Sequence, residues 1–417
     1  MSYQLSPYRG SEFSVGWNHV LYLSRFFKLK VIVGCSGDHM GSFDDIQNYI
    51  AENGELDNVE FIFVETGLIG RVLNSANKRG LMIYTFYFAY RYWHLKAYIA
   101  AKKLLSMHHI DLIHYLNPIG YREPGFLWKI DKPYIWGPIS GFADTKTYNS
   151  PLLRRSDLVK IKLKNFANSL QLKFSLGVRK ALNHANIVVA ATKEGKEVIK
   201  ARFGIEAIHI PENAITDVQI SERSCSRTFS RKAGPLRLIM VGSVDIRKSV
   251  DLLFISIYKL PKQSWHLDVV GSGPETGALM KLADNLGISE QITFHGRLDR
   301  DRVIQLFDTS DLHVITSRAE GNPTTLWEAM ARNVPTITLD HCGMSDSVCK
   351  NCGILIDVEN IIAATSEIAH HIHVLASDSS RLEKLKEGVS TCRQEHLWSH
   401  RQTQWCELYS RAIDDIF

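Results

Sequence analysis

The 417-residue sequence lacks the features that mark several protein classes. Its seven cysteines (Cys35, Cys225, Cys342, Cys349, Cys352, Cys392, Cys406) are odd in number and scattered. That excludes a secreted disulfide miniprotein and points to reduced thiols in a cytoplasm. Long hydrophobic runs are also missing: the longest uncharged apolar stretch, Leu81 to Tyr90, is about half the ~20 residues a spanning helix needs. The opening segment MSYQLSPYRGSE has no apolar core for a signal peptide. Any membrane role is therefore expected at the surface. With 27 Gly and 12 Pro, the chain is neither collagen-like nor disordered, and 45% hydrophobic content over this length predicts two or three domains with sizeable cores.

Charge is also scarce overall, at +5, but it is concentrated. Between Ser150 and Lys180 stand eight cations (Arg154, Arg155, Lys160, Lys162, Lys164, Lys173, Arg179, Lys180) and one acid, Asp157, a local +7 that leaves −2 for the remaining 386 residues. The aromatic run Leu81 to Trp93 reads first as core. Together with the basic patch it also offers interfacial rings and cations for an anionic membrane surface. No nucleic-acid motif accompanies the patch, so nucleic acid is not expected as a partner.

Apolar runs of strand length alternate with helical patterns, the signature of parallel α/β architecture. A first cycle holds Lys30–Cys35, Val59–Val64, Leu112–Tyr115, Tyr134–Trp136 and Ile187–Ala191. A second holds the run from Leu236, then His266–Val270, Gln291–Phe294, Leu312–Ile315 and Thr336–Leu339. The Ser- and Arg-rich stretch Ser221 to Pro235 has little to bury and reads as a linker. Only Met1 to Leu5 precede the first Gly-containing loop. The first strand is accordingly expected to be short or partly missing, and an upstream start is open.

The most informative segment runs from Ser317 through Glu320, Gly321, Asn322, Pro323, Thr324, Thr325 and Leu326 to Glu328. A strand ends, a loop carries Glu320, and Pro323 opens a helix. Helical side chains lean towards the amino terminus, so Glu328 can point back at the loop and share its crevice with Glu320. The first-turn amides of Thr324, Thr325 and Leu326 make an anion site suited to phosphate. Two carboxylates beside such a site suit a nucleotide sugar. On spacing alone, a helix-start acid and an unrelated loop acid account for them equally well. Upstream, a strand exits into Gly242, Ser243, Arg247 and Lys248, and another into Gly271 and Gly273, at the sheet edge where α/β proteins bind ligands.

In this order, VGS-x3-RK, VVGSGPE, FHGRL and SRAEGNPTTLWEAMARNVPTI resemble the donor domain of family 4 of the retaining glycosyltransferases. The amino-terminal segments around Gly10–Asn18, Asp111–His114, Tyr121–Trp128 and Trp136–Gly141 are similar to a bacterial branch associated with surface polysaccharide assembly. The resemblance implies the GT-B fold, two Rossmann-like doubly wound domains facing across a cleft. Its expected divisions are an acceptor domain over 1–220, a linker over 221–235, a donor domain over 236–398 and a helix over 399–417 crossing back to the first domain.

Position by position, the resemblance implies that Glu320 holds the donor sugar's hydroxyls and Glu328 the ribose. Lys248 with Arg247 would hold the diphosphate, and the amides of Thr325 and Leu326 the distal phosphate. Gly242, Gly271, Gly273, Arg297, Gly321, Asn322 and Thr324 would complete the donor site. Ser243 stands where the family has an arginine, with Arg247 the nearest residue to compensate, and Asn322 replaces a family aromatic residue. Gly10 and Ser11 would close over phosphate or acceptor, and His114 matches a strand-end histidine at the site. The family often places its functional histidine where this chain has Leu116.

The implied activity is retaining, metal-independent hexosyl transfer with no cofactor. The donor would be UDP- or GDP-linked and the acceptor a saccharide, lipid-linked, at the inner face of the cytoplasmic membrane. The same residues also suit a nucleotide-sugar epimerase or hydrolase, or a catalytically silent scaffold subunit. Asp299-Arg-Asp301 reads as a helix cap rather than a metal motif. His341, Cys342, Cys349 and Cys352 contain one Cys-x-x-Cys pair, which reads as an ordinary turn rather than a zinc site.

Overall fold

The computed structural model describes residues 1–10, 12–35, 43–79, 86–220 and 234–414. Ser11, Cys225, residues 81–85 of the aromatic run and residues 221–233 of the expected linker lie outside the described residues. The chain divides into two compact units. The first comprises Met1–Phe142, Leu170–Glu212 and Trp398–Phe417, and the second Ala143–Ser169 and Asn213–Leu397.

In the first unit, β1 (Leu29–Gly34) and β2 (Val59–Val64) pair in parallel. Strands β3 (Ile113–Tyr115), β4 (Tyr134–Ile139), β5 (Ile187–Ala190) and β6 (Ile208–His209) form a parallel sheet in that order. Ser2 bridges both Val33 and Asn117 in parallel, so the short first strand expected from the sequence stands between β1 and β3. Tyr3 follows it into the core, edge-on to Tyr90 and Trp93 with ring centroids 4.4 and 4.6 Å away. The closing helix, Trp398–Asp414, packs on the helix Glu12–Leu23, with Trp398 stacked on Tyr22 and Trp405 edge-on to His19.

The second unit carries β7 (Leu236–Val241), β8 (Trp265–Val270), β9 (Ile292–Gly296), β10 (Leu312–Ile315), β11 (Thr336–Leu339) and β12 (Gly353–Ile356). They form one parallel sheet in the order β12-β11-β10-β7-β8-β9. This is the doubly wound order of a Rossmann domain, and it reverses between β7 and β10, the crevice where such sheets bind ligands. The central strands β10 and β11 are buried along their whole length, as strands covered on both faces of a parallel sheet are. Trp265, Trp327, Leu238 and Val314 fill the core.

The segment 143–169, which the sequence pattern leaves in the amino-terminal domain, packs in this second unit. The fastening is Arg318, which is fully buried. Its Nε donates to the Ile246 carbonyl (3.2 Å) and a terminal nitrogen donates to Ser150 Oγ (2.6 Å). Its guanidinium lies 4.1 Å from the Tyr148 ring centroid. The Tyr148 hydroxyl donates to the Thr316 carbonyl, and Asp251 accepts from the Leu152 amide. A buried arginine needs partners for its donors, and this segment provides them.

Candidate functional site

The site is built on the carboxyl ends of β7, β8 and β10 in the second unit. The loop after β7 lies backbone to backbone on the loop after β8. Val244 N–H donates to the Ser272 carbonyl (3.1 Å) and Glu275 N–H to the Val244 carbonyl (3.1 Å). Gly271, at φ +131°, makes that contact possible: a Cβ there would lie 1.8 Å from the Gly242 carbonyl oxygen. A Cβ on Gly273 would lie 2.2 Å from the Val244 carbonyl. The two glycines that sequence reasoning assigns to the donor thus serve first to press the two loops together.

The β7 loop delivers Arg247 and Lys248 to Glu320, which arrives on the loop after β10. Lys248 Nζ and an Arg247 terminal nitrogen each lie 2.6 Å from the same oxygen, Glu320 Oε1. Lys248 is buried, its stem lying against Gly242, while Arg247 is half exposed and also approaches Ser243 Oγ at 3.5 Å. Ser243 itself donates to Asp245 (2.7 Å), and Asp245 accepts from the Lys248 amide (3.0 Å), which fixes the turn. Burial tends to raise the Glu320 carboxyl. Lys248, Arg247 and hydrogen bonds from Lys248 and Ser317 outweigh it and hold the group below its ordinary value. Glu320 is an ionised carboxylate clamped by two cations.

Glu328 sits one turn into the helix Thr324–Ala331, as its spacing predicts. Its cation is a different one: Arg300 Nε lies 3.5 Å from Glu328 Oε1. Burial raises the Glu328 carboxyl, and Arg300 only partly opposes this. Pro323 opens the helix without a side-chain cap. The Leu326 amide, expected to face a phosphate, is bonded to the Pro323 carbonyl (3.0 Å), so Thr324 and Thr325 carry the first-turn amides left for an anion. Asn322 accepts from Trp327 Nε1 (2.8 Å) and ties the Gly321 loop to the helix. Arg297 is exposed just beyond Gly296, at the end of β9.

In the first unit both ring nitrogens of His114 are engaged, Nδ1 with the Tyr409 hydroxyl (2.6 Å) and Nε2 with the Gly137 carbonyl (2.7 Å). Nε2 therefore carries the proton and Nδ1 accepts. Burial holds the ring down to about 3. Through these two contacts His114 ties β3 to β4 and to the closing helix. Leu116 is buried beside it. Gly10 is exposed with open space around it.

Sequence reasoning missed Arg300, Arg318 and His341. His341 is buried, and burial with the Lys146 charge lowers it to about 4 against the opposing Ser317 backbone and Glu320 charge. Arg300 lies in the Asp299–Asp301 stretch. Asp299 does cap the following helix, accepting from the Arg302 amide (2.9 Å), and only the fold shows that Arg300 turns towards Glu328.

This fold is of the GT-B type, as comparison with solved structures shows. The chain is similar to Anabaena HepE in complex with UDP and glucose, at TM-score 0.60 and 15% identity over 98% of this chain and 99% of that one. It is also similar to the lipopolysaccharide outer core galactosyltransferase WaaB, at TM-score 0.60 and 17% identity over 93% and 100%. Residues 226–388 match the family Glycosyl transferases group 1, and the chain carries a group 1 glycosyltransferase domain there.

Similar curated proteins include D-inositol 3-phosphate glycosyltransferase of Nocardia farcinica, 24% identical over 253 residues, 57% of this chain and 55% of that protein. The amylovoran biosynthesis glycosyltransferase AmsD of Erwinia amylovora is 25% identical over 202 residues, 47% of this chain and 56% of that protein. The chain spans about half the length of these curated relatives.

Proposed function

We propose that the chain is a retaining glycosyltransferase. It moves a hexose from a UDP- or GDP-linked donor to a saccharide acceptor, lipid-linked, in the assembly of a bacterial surface polysaccharide. The observation that carries the reading is the pairing of Arg247 and Lys248 on one oxygen of Glu320 at the β7/β10 switch point. A diphosphate would compete for the same two cations. Its binding would release Glu320 to accept hydroxyl hydrogens of the sugar, while Glu328 takes the ribose.

As the bond from the anomeric carbon to the diphosphate breaks, negative charge grows on the leaving oxygen. Arg247, Lys248 and the amides of Thr324 and Thr325 meet it, a contribution of about 3 kcal/mol per well-placed donor in a water-poor site. The acceptor oxygen attacks the face the diphosphate leaves, and its proton passes to the departing phosphate. No side-chain nucleophile and no metal takes part in the step. The names of AmsD and WaaB support surface polysaccharide as the product class, and the UDP complex of HepE supports a nucleoside diphosphate leaving group. The test is donor binding: a nucleotide sugar should raise the Tm of the wild type and not that of Glu328→Ala.

The working location we propose is an anionic membrane surface at the cytoplasmic face. Among the described residues no helix is long and apolar enough to cross a membrane. The helix Arg155–Phe174 instead exposes Val159, Leu163, Phe166, Leu170 and Phe174, at successive spacings of four, three, four and four residues. That spacing makes one apolar stripe, flanked by Lys162 on one side and Lys160 on the other. Apolar contact plus about 1 kcal/mol per cation suits peripheral binding. Reversing Arg154, Arg155, Lys160 and Lys162 to Glu should abolish co-sedimentation with anionic vesicles and leave nucleotide affinity unchanged. Equal loss of both would make the patch structural.

A further inference from the structure

At the opposite end of the second unit's sheet, a Cys-x-x-Cys pair meets a third cysteine some forty residues further along the chain. Cys349 and Cys352 lie on the turn before β12, so they stand at the amino-terminal edge of a parallel sheet whose carboxyl edge carries Glu320. Cys392 is the last residue of the helix Ser379–Cys392. Cys349 Sγ is 3.4 Å from Cys352 Sγ and 3.1 Å from Cys392 Sγ, and all three sulfurs lie within 4.8 Å of one another. Taken alone, the Cys-x-x-Cys pair reads as an ordinary turn. The third thiol, which the fold brings in, changes that reading.

We propose that Cys349, Cys352 and Cys392 bind one zinc-class divalent cation, which clamps the turn before β12 to the helix Ser379–Cys392. Two features of the backbone prepare the site. The turn is closed by the Cys352 and Gly353 amides on the Cys349 carbonyl (3.1 and 3.0 Å), which sets both sulfurs on one side. The Cys349 amide points at Cys352 Sγ (3.2 Å), and the Asn351 amide points at Cys349 Sγ. Amide donors aimed at sulfur favour the thiolate that a metal requires.

The second feature is Gly388, one turn before Cys392. A Cβ at that position would lie 1.8 Å from the Asn351 carbonyl oxygen, so only glycine lets the helix approach closely enough to deliver Cys392. The sulfur spacing also fits. Zinc to thiolate bonds of about 2.3 Å in a tetrahedron place sulfurs about 3.8 Å apart, within about 1 Å of the present 3.4 and 3.1 Å. A disulfide would use two of the three sulfurs and leave the third without a role. Cys349 is exposed, so the fourth position falls to water. His341 and Cys342 are not in this group. The ion is structural and takes no part in glycosyl transfer.

The full-length protein, reduced and handled anaerobically, should retain one Zn²⁺ per chain after dialysis. With Co²⁺ it should show thiolate-to-metal charge-transfer absorption. Cys392→Ser and, separately, the exposed Cys349→Ser should weaken Co²⁺ binding by at least about tenfold. Gly388→Val, which leaves every thiol in place, should weaken it as well, and Cys406→Ser should not. Substoichiometric metal, a cobalt spectrum without thiolate absorption, unchanged affinity in both Cys349→Ser and Cys392→Ser, or a disulfide among the three in anaerobically isolated protein would overturn the proposal.

Discussion

Lys248→Met is expected to reduce glycosyl transfer by about 10²- to 10³-fold in kcat, the loss seen when one preorganised donor to a developing anion is removed. Lys248 is the buried member of the pair on Glu320, and its Nζ lies 2.6 Å from Oε1. Methionine keeps the aliphatic stem that packs on Gly242 and removes only the charge. Glu320 keeps Arg247 at 2.6 Å, so the carboxylate is not stranded and the fold should survive. Arg247→Ala should cost less, because an exposed cation is screened by water. Full wild-type turnover by a folded Lys248→Met protein would remove Lys248 from the chemistry.

The second large effect concerns acid stability of the first unit. Burial pushes His94 and His114 from an ordinary 6.5 down to about 3, and burial together with the neighbouring His114 pushes His19 well below 6.5. Burial acts in the opposite sense on Glu12 and Glu123, raising both from 4.5 to about 7. Between pH 6.5 and 4.5 the unfolded chain takes up three histidine protons that the folded unit refuses. Over the same range the folded unit holds two carboxyl protons that the unfolded chain lacks.

The buried Met1 amino group, lowered by burial from 8.0 to about 5, is refused a proton as well, so the difference is two protons above pH 5 and one between pH 5 and 4.5. Stability therefore falls as pH falls, by about 2.8 and then about 1.4 kcal/mol per pH unit. Between pH 4.5 and about 3, Glu12 and Glu123 are protonated in both states, and the three histidines set a steeper slope of about 4 kcal/mol per unit. Denaturant unfolding across this range should show the break. Glu123→Gln should steepen the upper limb by one proton, and His94→Phe should flatten both limbs. A single uniform slope in the wild type, or an unchanged upper limb in Glu123→Gln, would contradict the assignment.

What the sequence discloses follows chain locality. Val59–Val64, Leu312–Ile315 and Thr336–Leu339 are read to the residue, because each is a short run rich in β-branched and apolar residues. The Glu320 to Glu328 spacing and the Gly242 to Lys248 loop are equally local, and both reach the carboxyl edge of one sheet. The features it conceals join distant residues. Arg318 holds Tyr148 and Ser150, His114 meets Tyr409, and Cys392 meets Cys349. None of these pairs leaves a periodic trace. Position along the chain therefore places segment 143–169 with the amino-terminal domain, while its contacts lie in the second unit, and a strand-end histidine with both nitrogens engaged looks in sequence like one that is free.

The central claim is that Glu328, Glu320, Lys248 and Arg247 frame a nucleotide-sugar site. Thermal unfolding of the wild type and Glu328→Ala with a panel of UDP-, GDP- and other nucleotide sugars tests it most directly. At least one of these should raise the wild-type Tm and leave that of Glu328→Ala unmoved. A panel in which no nucleotide sugar stabilises the wild type, or in which both proteins respond alike, would contradict it.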